Sequence, residues 1–365
     1  MFDPLKPYND LPNLPPDAPL ETQAVLRKVV TSGRALAELK GLGKSIPNQA
    51  MLVDSLVLQE AKASSEIENI ITTNDALFKA FTAKNKAVDS ATKEVLQYQQ
   101  ALWEGYRCLQ QRPLLSTNLF IHLVQKIKQN EAGIRNAPGT AVINETNSTV
   151  LYTPPEGEQV IREKLHNLEE FIHTDDAVDP LIKMAVMHYQ FEAIHPFSDG
   201  NGRTGRILNI LYLVKEGLLD LPVLYHSKYI IENKSEYYRL LRLVTEKGSW
   251  EPWLLYMLDV VEQTASFTGD VIIKIRRLME ETAAFAKEHL PSRVYSKDLV
   301  ELLFHQPYVK VQFLVKADIA ERKTAAEYLK ELEKIGILER QKVGKENLFL
   351  NRQLFKLLQS GQRET

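Results

Sequence analysis

The chain has 365 residues, 44% of them apolar and 25% charged, and its formal net charge is −2. This length predicts two or three domains, and the near-neutral charge argues against attraction of the whole protein to nucleic acid or to a membrane surface. One cysteine, Cys108, excludes an intrachain disulfide framework. No apolar run reaches the length of a membrane span and the first residues lack a signal-peptide pattern, so we expect a cytoplasmic protein without membrane contact.

The N-terminal region, residues 1–110, is predicted to be an arm followed by helices. Six prolines within residues 1–20 favour an extended arm. The first helix has apolar side chains at helical spacing: Leu26, Val29, Val30, Leu36 and Leu39. Gly41–Ser45 suggests a phosphate loop, but a helix precedes it and position 38 is not glycine, so a helix-ending turn is predicted. Further helices are predicted over 47–63, Ala76–Thr82 and 91–111.

The middle region, residues 111–289, is predicted to be helical apart from one hairpin. Two β-prone runs, Thr140–Ile143 and Thr149–Tyr152, flank turn residues at Asn144–Ser148. Helices are predicted over 116–128, 158–173, 181–193, 203–217, 233–247 and 251–287. The fold class is therefore mainly α, with a small β-hairpin in its middle region.

The C-terminal region, residues 290–365, contains 14 Lys and Arg against 10 Asp and Glu. Helices are predicted over 295–304, Val309–Lys316 and Ile319–Ile335, followed by two strands around Gly344. This order is typical of a winged helix. Either it binds DNA or it makes a protein contact such as a homodimer interface, and the two alternatives stay open.

For the DNA alternative, the candidate contacts are basic side chains on the third helix and on the wing: Arg322, Lys323, Arg340, Lys342 and Lys345. Acidic side chains in the same region oppose contact with a phosphate backbone: Glu321, Glu327, Glu331, Glu333 and Glu346.

The most informative stretch is the twelve-residue segment HPFSDGNGRTGR, His195–Arg206. Its histidine can accept a proton near neutral pH, and Asp199 is a hard oxygen ligand suited to Mg²⁺. Its glycines allow close backbone approach to an anion, while Arg203 and Arg206 provide permanent charge for phosphate oxygens. Together these residues indicate a nucleotide-phosphate site with its own base.

Two other interpretations of the glycines were weighed. Residues 200–205 match G-x-G-x-x-G, but the dinucleotide fingerprint needs a preceding strand, and Leu181–Phe191 has helical composition and length. A purely structural glycine turn would leave the two arginines and the histidine unexplained.

The whole segment resembles the signature of the Fic (filamentation induced by cAMP) family, H-P-F-x-[D/E]-G-N-G-R-x-x-R, with every defined position present. This resemblance implies a Fic-type helical core, with the hairpin as a flap that aligns a target segment by strand addition. It also implies transfer of AMP from ATP to a Ser, Thr or Tyr hydroxyl of a target protein, autoAMPylation included, with release of pyrophosphate.

The resemblance further implies individual roles. His195 would be the catalytic base and Asp199 would hold Mg²⁺. Arg203 would contact the β-phosphate, and Arg206 the γ-phosphate. The remaining nucleotide contacts implied by the signature and its surroundings are Gly200, Asn201 with its amide on a phosphate oxygen, Gly202, Thr204, Gly205 and, near the base, Tyr238. Tyr237 is the weaker aromatic candidate, and His188 is interpreted as a core histidine rather than a zinc ligand.

A second match lies far upstream, where Ser64, Glu68 and Asn69 fit the family's inhibitory pattern, [S/T]-x-x-x-E-[G/N]. The resemblance implies that Glu68 pairs with Arg206 in place of the γ-phosphate. Alone, this short pattern would also describe a glutamate on a solvated helix face.

Alternatives to an autoinhibited adenylyltransferase follow from the same residues. Relatives of this family also remove AMP or transfer other phosphate-linked groups. From a different class, a DNA-binding regulator could sense a nucleotide without turnover, although a pure sensor has no need of His195 and Asp199.

Overall fold

The computed structural model describes residues 2–44, 49–83, 88–143, 149–344 and 346–359. Ser45, the predicted hairpin turn at 144–148 and Lys345 lie outside the described residues. Within them the protein is mainly helical, which confirms the predicted fold class.

The first half contains helices and one hairpin. Its elements are α1 (Gln23–Lys44), α2 (Gln49–Ile67), α3 (Asn74–Ala83), α4 (Ser90–Gln111), α5 (Thr117–Lys128), β1 (Val142–Ile143), β2 (Val150–Tyr152), α6 (Glu158–His173) and α7 (Pro180–Ile194). The second half continues with α8 (Asn201–Lys215), α9 (His226–Glu232), α10 (Lys234–Lys247), α11 (Trp250–His289), α12 (Lys297–Leu302), β3 (Tyr308–Val309), α13 (Val311–Lys316), α14 (Arg322–Lys334), β4 (Glu339–Val343), β5 (Glu346–Leu350) and α15 (Arg352–Gln359).

Side-chain caps define several helix starts. Asp89 accepts a hydrogen bond from the Thr92 amide at 2.8 Å, and Ser116 caps α5 through the Leu119 amide at 3.4 Å. At α7, Asp179 accepts from the Leu181 amide at 2.8 Å, and Pro180 occupies the first helical position. Each cap satisfies an amide that the helix itself leaves without a partner.

Several boundaries differ from the predictions. α1 runs through Gly41 and Gly43 to Lys44, so the predicted helix-ending turn was placed too early. Leu26 and Val30, two of the apolar side chains whose spacing predicted that helix, are 43% and 51% exposed, whereas Val25 is buried. The short elements α9, β3 and α15 were not predicted.

The central helix α7 is buried along nearly its whole length and packs against α6, α8 and α11. A helix that is apolar on all sides belongs in a core. The indole N–H of Trp253, in α11, donates to the Ala185 carbonyl of α7 at 2.9 Å. Core packing therefore holds α7 and α8 in place, and with them both ends of the segment that connects them, residues 195–200.

Residues 2–22 contain neither helix nor strand, as their prolines predicted. Leu11 and Leu14 are buried, and the Tyr8 amide donates to the Thr153 carbonyl at 3.0 Å. The arm thereby packs against the end of the β1–β2 hairpin, whose strands pair antiparallel as predicted.

The C-terminal region has the predicted order of three helices followed by two antiparallel strands. A third strand, β3, extends the sheet to the order β3-β5-β4. This region contacts the N-terminal helices: the Tyr308 hydroxyl donates to Asp75 at 2.5 Å, and Ser55 donates to the His305 carbonyl at 3.1 Å.

Among the described residues, no helix is both long enough and apolar enough to cross a membrane.

Candidate active site

The HPFSDGNGRTGR segment forms the connection from α7 to α8 and the start of α8. His195 follows α7 in a left-handed conformation (φ 48°, ψ 59°), and Gly200 precedes α8 with φ 86°. The Asn201 side chain closes the loop, since its oxygen accepts from the Phe197 amide at 2.8 Å and its nitrogen donates to the Phe197 carbonyl at 2.7 Å. Phe197 is itself 1% exposed, so the loop is anchored by burial as well.

The predicted contact of the Asn201 amide with a phosphate oxygen stays a prediction. Both polar atoms of the side chain are occupied by the Phe197 backbone. Asn201 therefore shapes the loop, and the Phe197 carbonyl uses one of its two amide N–H groups.

Arg135 holds the same loop by donating hydrogen bonds to its backbone carbonyls. Its guanidinium donates to the His195 carbonyl at 2.7 Å, to the Ile194 carbonyl at 3.3 Å and to the Pro155 carbonyl, and its amide donates to the Pro196 carbonyl at 2.9 Å. Sequence reasoning missed this residue because it lies 60 positions before His195, in a segment without periodicity.

His195 is neutral in this environment. Burial and, to a smaller extent, the charge of Arg135 lower its pKa to about 4, against a hydrogen bond to the Glu192 backbone and the charges of Glu68 and Asp199. A neutral imidazole has a free lone pair, which a base needs.

A cavity of about 400 Å³ opens beside this loop. Five predicted site residues line it: Glu68, His195, Gly202, Arg206 and Tyr238. Its other walls come from the arm, the hairpin, α7 and α10, among them Phe2, Val142, Leu151, Tyr152, Glu192, Arg239 and Arg242.

Arg206 is 1% exposed and is held by the upstream motif. It donates to Glu68 Oε1 at 2.7 Å, to the Ser64 hydroxyl at 2.8 Å and to the Ser64 carbonyl at 2.8 Å. Burial opposes its charge, but the neighbouring Glu68 carboxylate outweighs burial and raises the Arg206 pKa. The structure thus brings Glu68 and Arg206 together, as the resemblance implied.

The end of α2 explains why the motif has its residues in this order. The Glu68 and Ile70 amides both donate to the Ser65 carbonyl, at 3.0 Å each, so the Ser64 carbonyl is available to Arg206. Asn69 adopts φ 59°, a left-handed conformation that glycine and asparagine tolerate best. The helix therefore ends at the point that turns Glu68 into the cavity.

Gly202 makes room for this ion pair. A Cβ atom at this position would lie 2.3 Å from Glu68 Oε1 and 2.9 Å from the Arg206 guanidinium. Any side chain there would collide with the carboxylate.

Asp199 lies at the surface of the loop, with its side chain 60% exposed. Its oxygens are 2.6 Å from Lys128 Nζ and 3.6 Å from the Arg203 guanidinium. Partial burial opposes ionisation, but Lys128 and Arg203 outweigh it and lower the Asp199 pKa. One ionised, accessible carboxylate fits Mg²⁺, which proteins commonly bind with one or two carboxylates plus substrate phosphates.

Arg203 is 1% exposed, does not line the cavity, and donates to Glu94 Oε2 at 2.7 Å. Glu94 engages only one nitrogen of the guanidinium, so the expected contact with a β-phosphate stays a prediction. Thr204 is fully buried, and a Cβ at Gly205 would lie 2.5 Å from Glu192 Oε1. Both residues belong to the close packing of α8 on its neighbours. Neither is among the residues that line the cavity, and nor is Gly200, whose positive φ serves the turn.

The two tyrosines of α10 differ in position. Both line the cavity, but Tyr238 is 40% exposed, whereas Tyr237 is 1% exposed, with its hydroxyl 2.8 Å from His188 Nε2. His188 is fully buried in the core, as predicted. The more exposed of the two tyrosines is therefore the one favoured from the sequence.

Sequence reasoning also missed the carboxylates around the two arginines. Glu94 binds Arg203, and burial raises the pKa of Glu192, which lines the cavity, to about 7 despite the charge of Arg206. Glu94 lies on a different helix, 109 positions before its partner, so no local pattern marks it.

A helical core that presents this loop beside a hairpin and a buried arginine defines a Fic-type fold. Three family models match the chain consecutively: "Fic/DOC family N-terminal" over residues 26–107, "Fic/DOC family" over 114–213, and "Protein adenylyltransferase SoFic-like, C-terminal domain" over 278–354. The chain belongs to the Fic/DOC family.

Curated relatives match over shorter stretches. Protein adenylyltransferase fic-1 of Caenorhabditis briggsae is 34% identical over 110 residues, which cover 29% of this chain and 20% of that protein. Protein adenylyltransferase Fic of Drosophila mojavensis is 29% identical over 144 residues, which cover 38% of this chain and 27% of that protein. The matched part thus spans about a fifth to a quarter of these relatives.

Solved structures support the fold. A Fic family protein from Desulfovibrio desulfuricans G20 superposes with a TM-score of 0.55 at 17% identity, covering 90% of this chain and 96% of that chain. A segment of Fic-1 from Caenorhabditis elegans superposes with a TM-score of 0.52 at 17% identity, covering 68% of this chain and 74% of that chain.

Proposed function

We propose that this protein transfers AMP from ATP to a Ser, Thr or Tyr hydroxyl of a target protein, and that Glu68 restrains this activity. The observation that carries the proposal is the meeting of Glu68, Ser64 and Arg206 in the cavity that holds His195. The names of the curated relatives, protein adenylyltransferases, support the same reaction.

The reaction needs a base at the acceptor hydroxyl. The hydroxyl oxygen attacks the α-phosphorus, its proton passes to the neutral imidazole of His195, and the bond from the α-phosphorus to the bridging oxygen breaks to release pyrophosphate. The low pKa of His195 keeps the imidazole free of a proton before attack. Mg²⁺, held by Asp199, would supply neutralising charge on the phosphates.

The hairpin is the proposed guide for the target. Val142, Leu151 and Tyr152 line the cavity, and Tyr152 donates to the Ala193 carbonyl at 2.7 Å, which ties β2 to the helix before His195. An extended target segment added beside this hairpin would bring its hydroxyl toward the imidazole.

Restraint follows from competition for Arg206. Because the buried guanidinium already binds Glu68 at 2.7 Å, a γ-phosphate can reach it only when the carboxylate leaves. Without that contact the triphosphate lacks a charge-assisted anchor, and the α-phosphorus is not aligned for attack.

The proposal is tested with ATP labelled at the α-phosphate. We expect Glu68→Gly to raise covalent incorporation about tenfold or more over the unsubstituted protein. Arg206 is then free to bind the γ-phosphate, and one such charged donor contributes at least that factor to a reaction rate. Adding His195→Ala to Glu68→Gly should abolish the label.

Glu66→Gly is the matched control, because Glu66 pairs with Lys62 at 3.2 Å rather than with Arg206. Equal incorporation by the Glu68→Gly and unsubstituted proteins would refute the restraint. Binding of ATP to the Glu68→Gly form without transfer would favour a nucleotide sensor instead.

A further inference from the structure

The buried carboxylate of Glu60 lies on the helix that carries the inhibitory motif. Glu60 is 1% exposed and is in the middle of α2. It accepts hydrogen bonds from the Ser227 amide at 2.7 Å, from the Ser227 hydroxyl at 2.5 Å and from the Tyr98 hydroxyl at 3.0 Å. Since Ser227 is in α9 and Tyr98 is in α4, one side chain joins three helices.

Glu60 has a fixed geometric relation to the inhibitory contacts. Glu60, Ser64 and Glu68 follow one another at intervals of four residues, which places the first two on one face of α2 and the third just past its end. The face that Glu60 attaches to α4 and α9 is the face that Ser64 and Glu68 present to Arg206.

The three hydrogen bonds are directional, so Glu60 constrains the orientation of α2 in a way that an apolar core residue does not. An apolar side chain would fill the same space yet leave α2 free to rotate slightly about its axis. A buried carboxylate is costly, and its donors are what compensate the cost. Burial raises its pKa to about 7 against the hydrogen bonds from Ser227 and Tyr98 and the charge of Arg206.

We propose that Glu60 is a positioning residue for the inhibitory contact. It sets the rotation and axial position of α2, so that Ser64 and Glu68 reach Arg206 together. This inference rests on the proposed function, because it concerns the restraint of the same site.

The experiment is a comparison of Glu60→Gln in two backgrounds. Glu60→Gln keeps the size of the side chain but turns an amide NH₂ toward hydrogen-bond donors. In the otherwise unsubstituted protein we expect incorporation to rise about fivefold, which corresponds to the loss of roughly one hydrogen bond from the restrained state. In the Glu68→Gly background, Glu60→Gln should add nothing, because no inhibitory carboxylate is left to position.

Controls and supporting variants come from the same helices. Ser55→Ala also removes a hydrogen bond of α2, to the His305 carbonyl, and should leave incorporation unchanged. Ser227→Ala and Tyr98→Phe each remove one donor to Glu60 and should raise incorporation in the same direction. These two variants decide the question if Glu60→Gln does not fold, as judged by its thermal melt.

The proposal is overturned if Glu60→Gln and both donor variants match the unsubstituted protein, or if they raise incorporation equally in both backgrounds. ATP affinity measured by calorimetry separates this failure from failure of the proposed function. If the Glu68→Gly protein transfers no AMP, the proposed function fails. A tighter ATP complex of Glu60→Gln that is absent in the Glu68→Gly background would still support the positioning role.

Discussion

His195 shows how one residue combines a motif identity with a conformation that only the fold provides. Its left-handed backbone and the two arginine-donated hydrogen bonds around it, to its own carbonyl and to that of Ile194, hold the imidazole at the edge of the cavity. Burial together with the nearby Arg135 charge keeps it neutral. The neutral state of the His195 imidazole depends on its position in the fold, since the pKa of a solvent-exposed histidine would leave it partly protonated near neutral pH.

The titration of His195 is a direct check of this environment. With a folded pKa of about 4 against roughly 6.5 in the unfolded chain, the imidazole should stay neutral from pH 8 down to about 5. Because the unfolded chain binds this proton first, His195 lowers stability progressively as the pH falls from about 6.5 to about 4.

Carbon-13 NMR of the labelled histidine ring should therefore show no chemical-shift change of His195 above pH 5. A His195→Gln variant assigns the signal. A midpoint near pH 6.5 would contradict the buried, Arg135-influenced environment.

At the level of elements, α2 and α4 support the two arginines of the signature. α2 ends so that Ser64 and Glu68 bind Arg206, and α4 contributes Glu94 to Arg203. α4 also donates to Glu60 of α2 through Tyr98, so the stability of α4 affects the contacts that hold both arginines.

The start of α4 gives a prediction about that helix. Asp89→Ala removes the acceptor for the Thr92 amide and should lower the free energy of unfolding by about 1 kcal/mol. Urea unfolding followed by circular dichroism measures the change. Asp89→Asn keeps a capping oxygen and should cost much less, and equal losses in both variants would argue against the cap.

At the level of the whole molecule, the C-terminal region is joined to α2, which carries the inhibitory motif, and to α3, which follows it. Tyr308 donates to Asp75 in α3, Phe355 of α15 packs edge-on to Phe78 of α3 at 6.1 Å, and Ser55 of α2 donates to the His305 carbonyl. The region's charge is partly neutralised by its own acids, since Arg340 lies 3.4 Å from Glu333. The predicted DNA contact and homodimer remain untested predictions.

This junction is testable with one hydroxyl. Tyr308→Phe removes the hydrogen bonds to Asp75 and to Gln341 and should destabilise the junction by about 1 kcal/mol. Hydrogen–deuterium exchange should rise in Asn74–Ala83. Tyr328→Phe is the control, because its hydroxyl binds the Arg293 carbonyl at 2.7 Å within the C-terminal region; a rise in α3 exchange for this variant too would contradict a specific junction.

Much of the architecture could be predicted from the sequence, because helix periodicity, caps and the hairpin pattern are local. The proposed division at residues 110 and 289 is likewise a sequence inference. Short elements such as α9 and α15 were missed because a single turn or two carries little periodicity. Leu26 and Val30 share the apolar spacing of α1 and yet are exposed, because spacing identifies an apolar face and only packing decides which part of it is covered.

In the candidate active site, too, local features could be predicted and long-range contacts could not. The HPFSDGNGRTGR loop and the upstream Glu68 motif can be identified in the sequence, and the family resemblance implies that Glu68 faces Arg206. The tertiary structure alone decided that Arg135 clamps the loop, that Glu94 binds Arg203, and that Glu60 joins α2 to its neighbours. These contacts link residues from 38 to 167 positions apart, and each depends on which helices pack together. Such distances leave no local pattern, because the chain is brought together only by burial of its core.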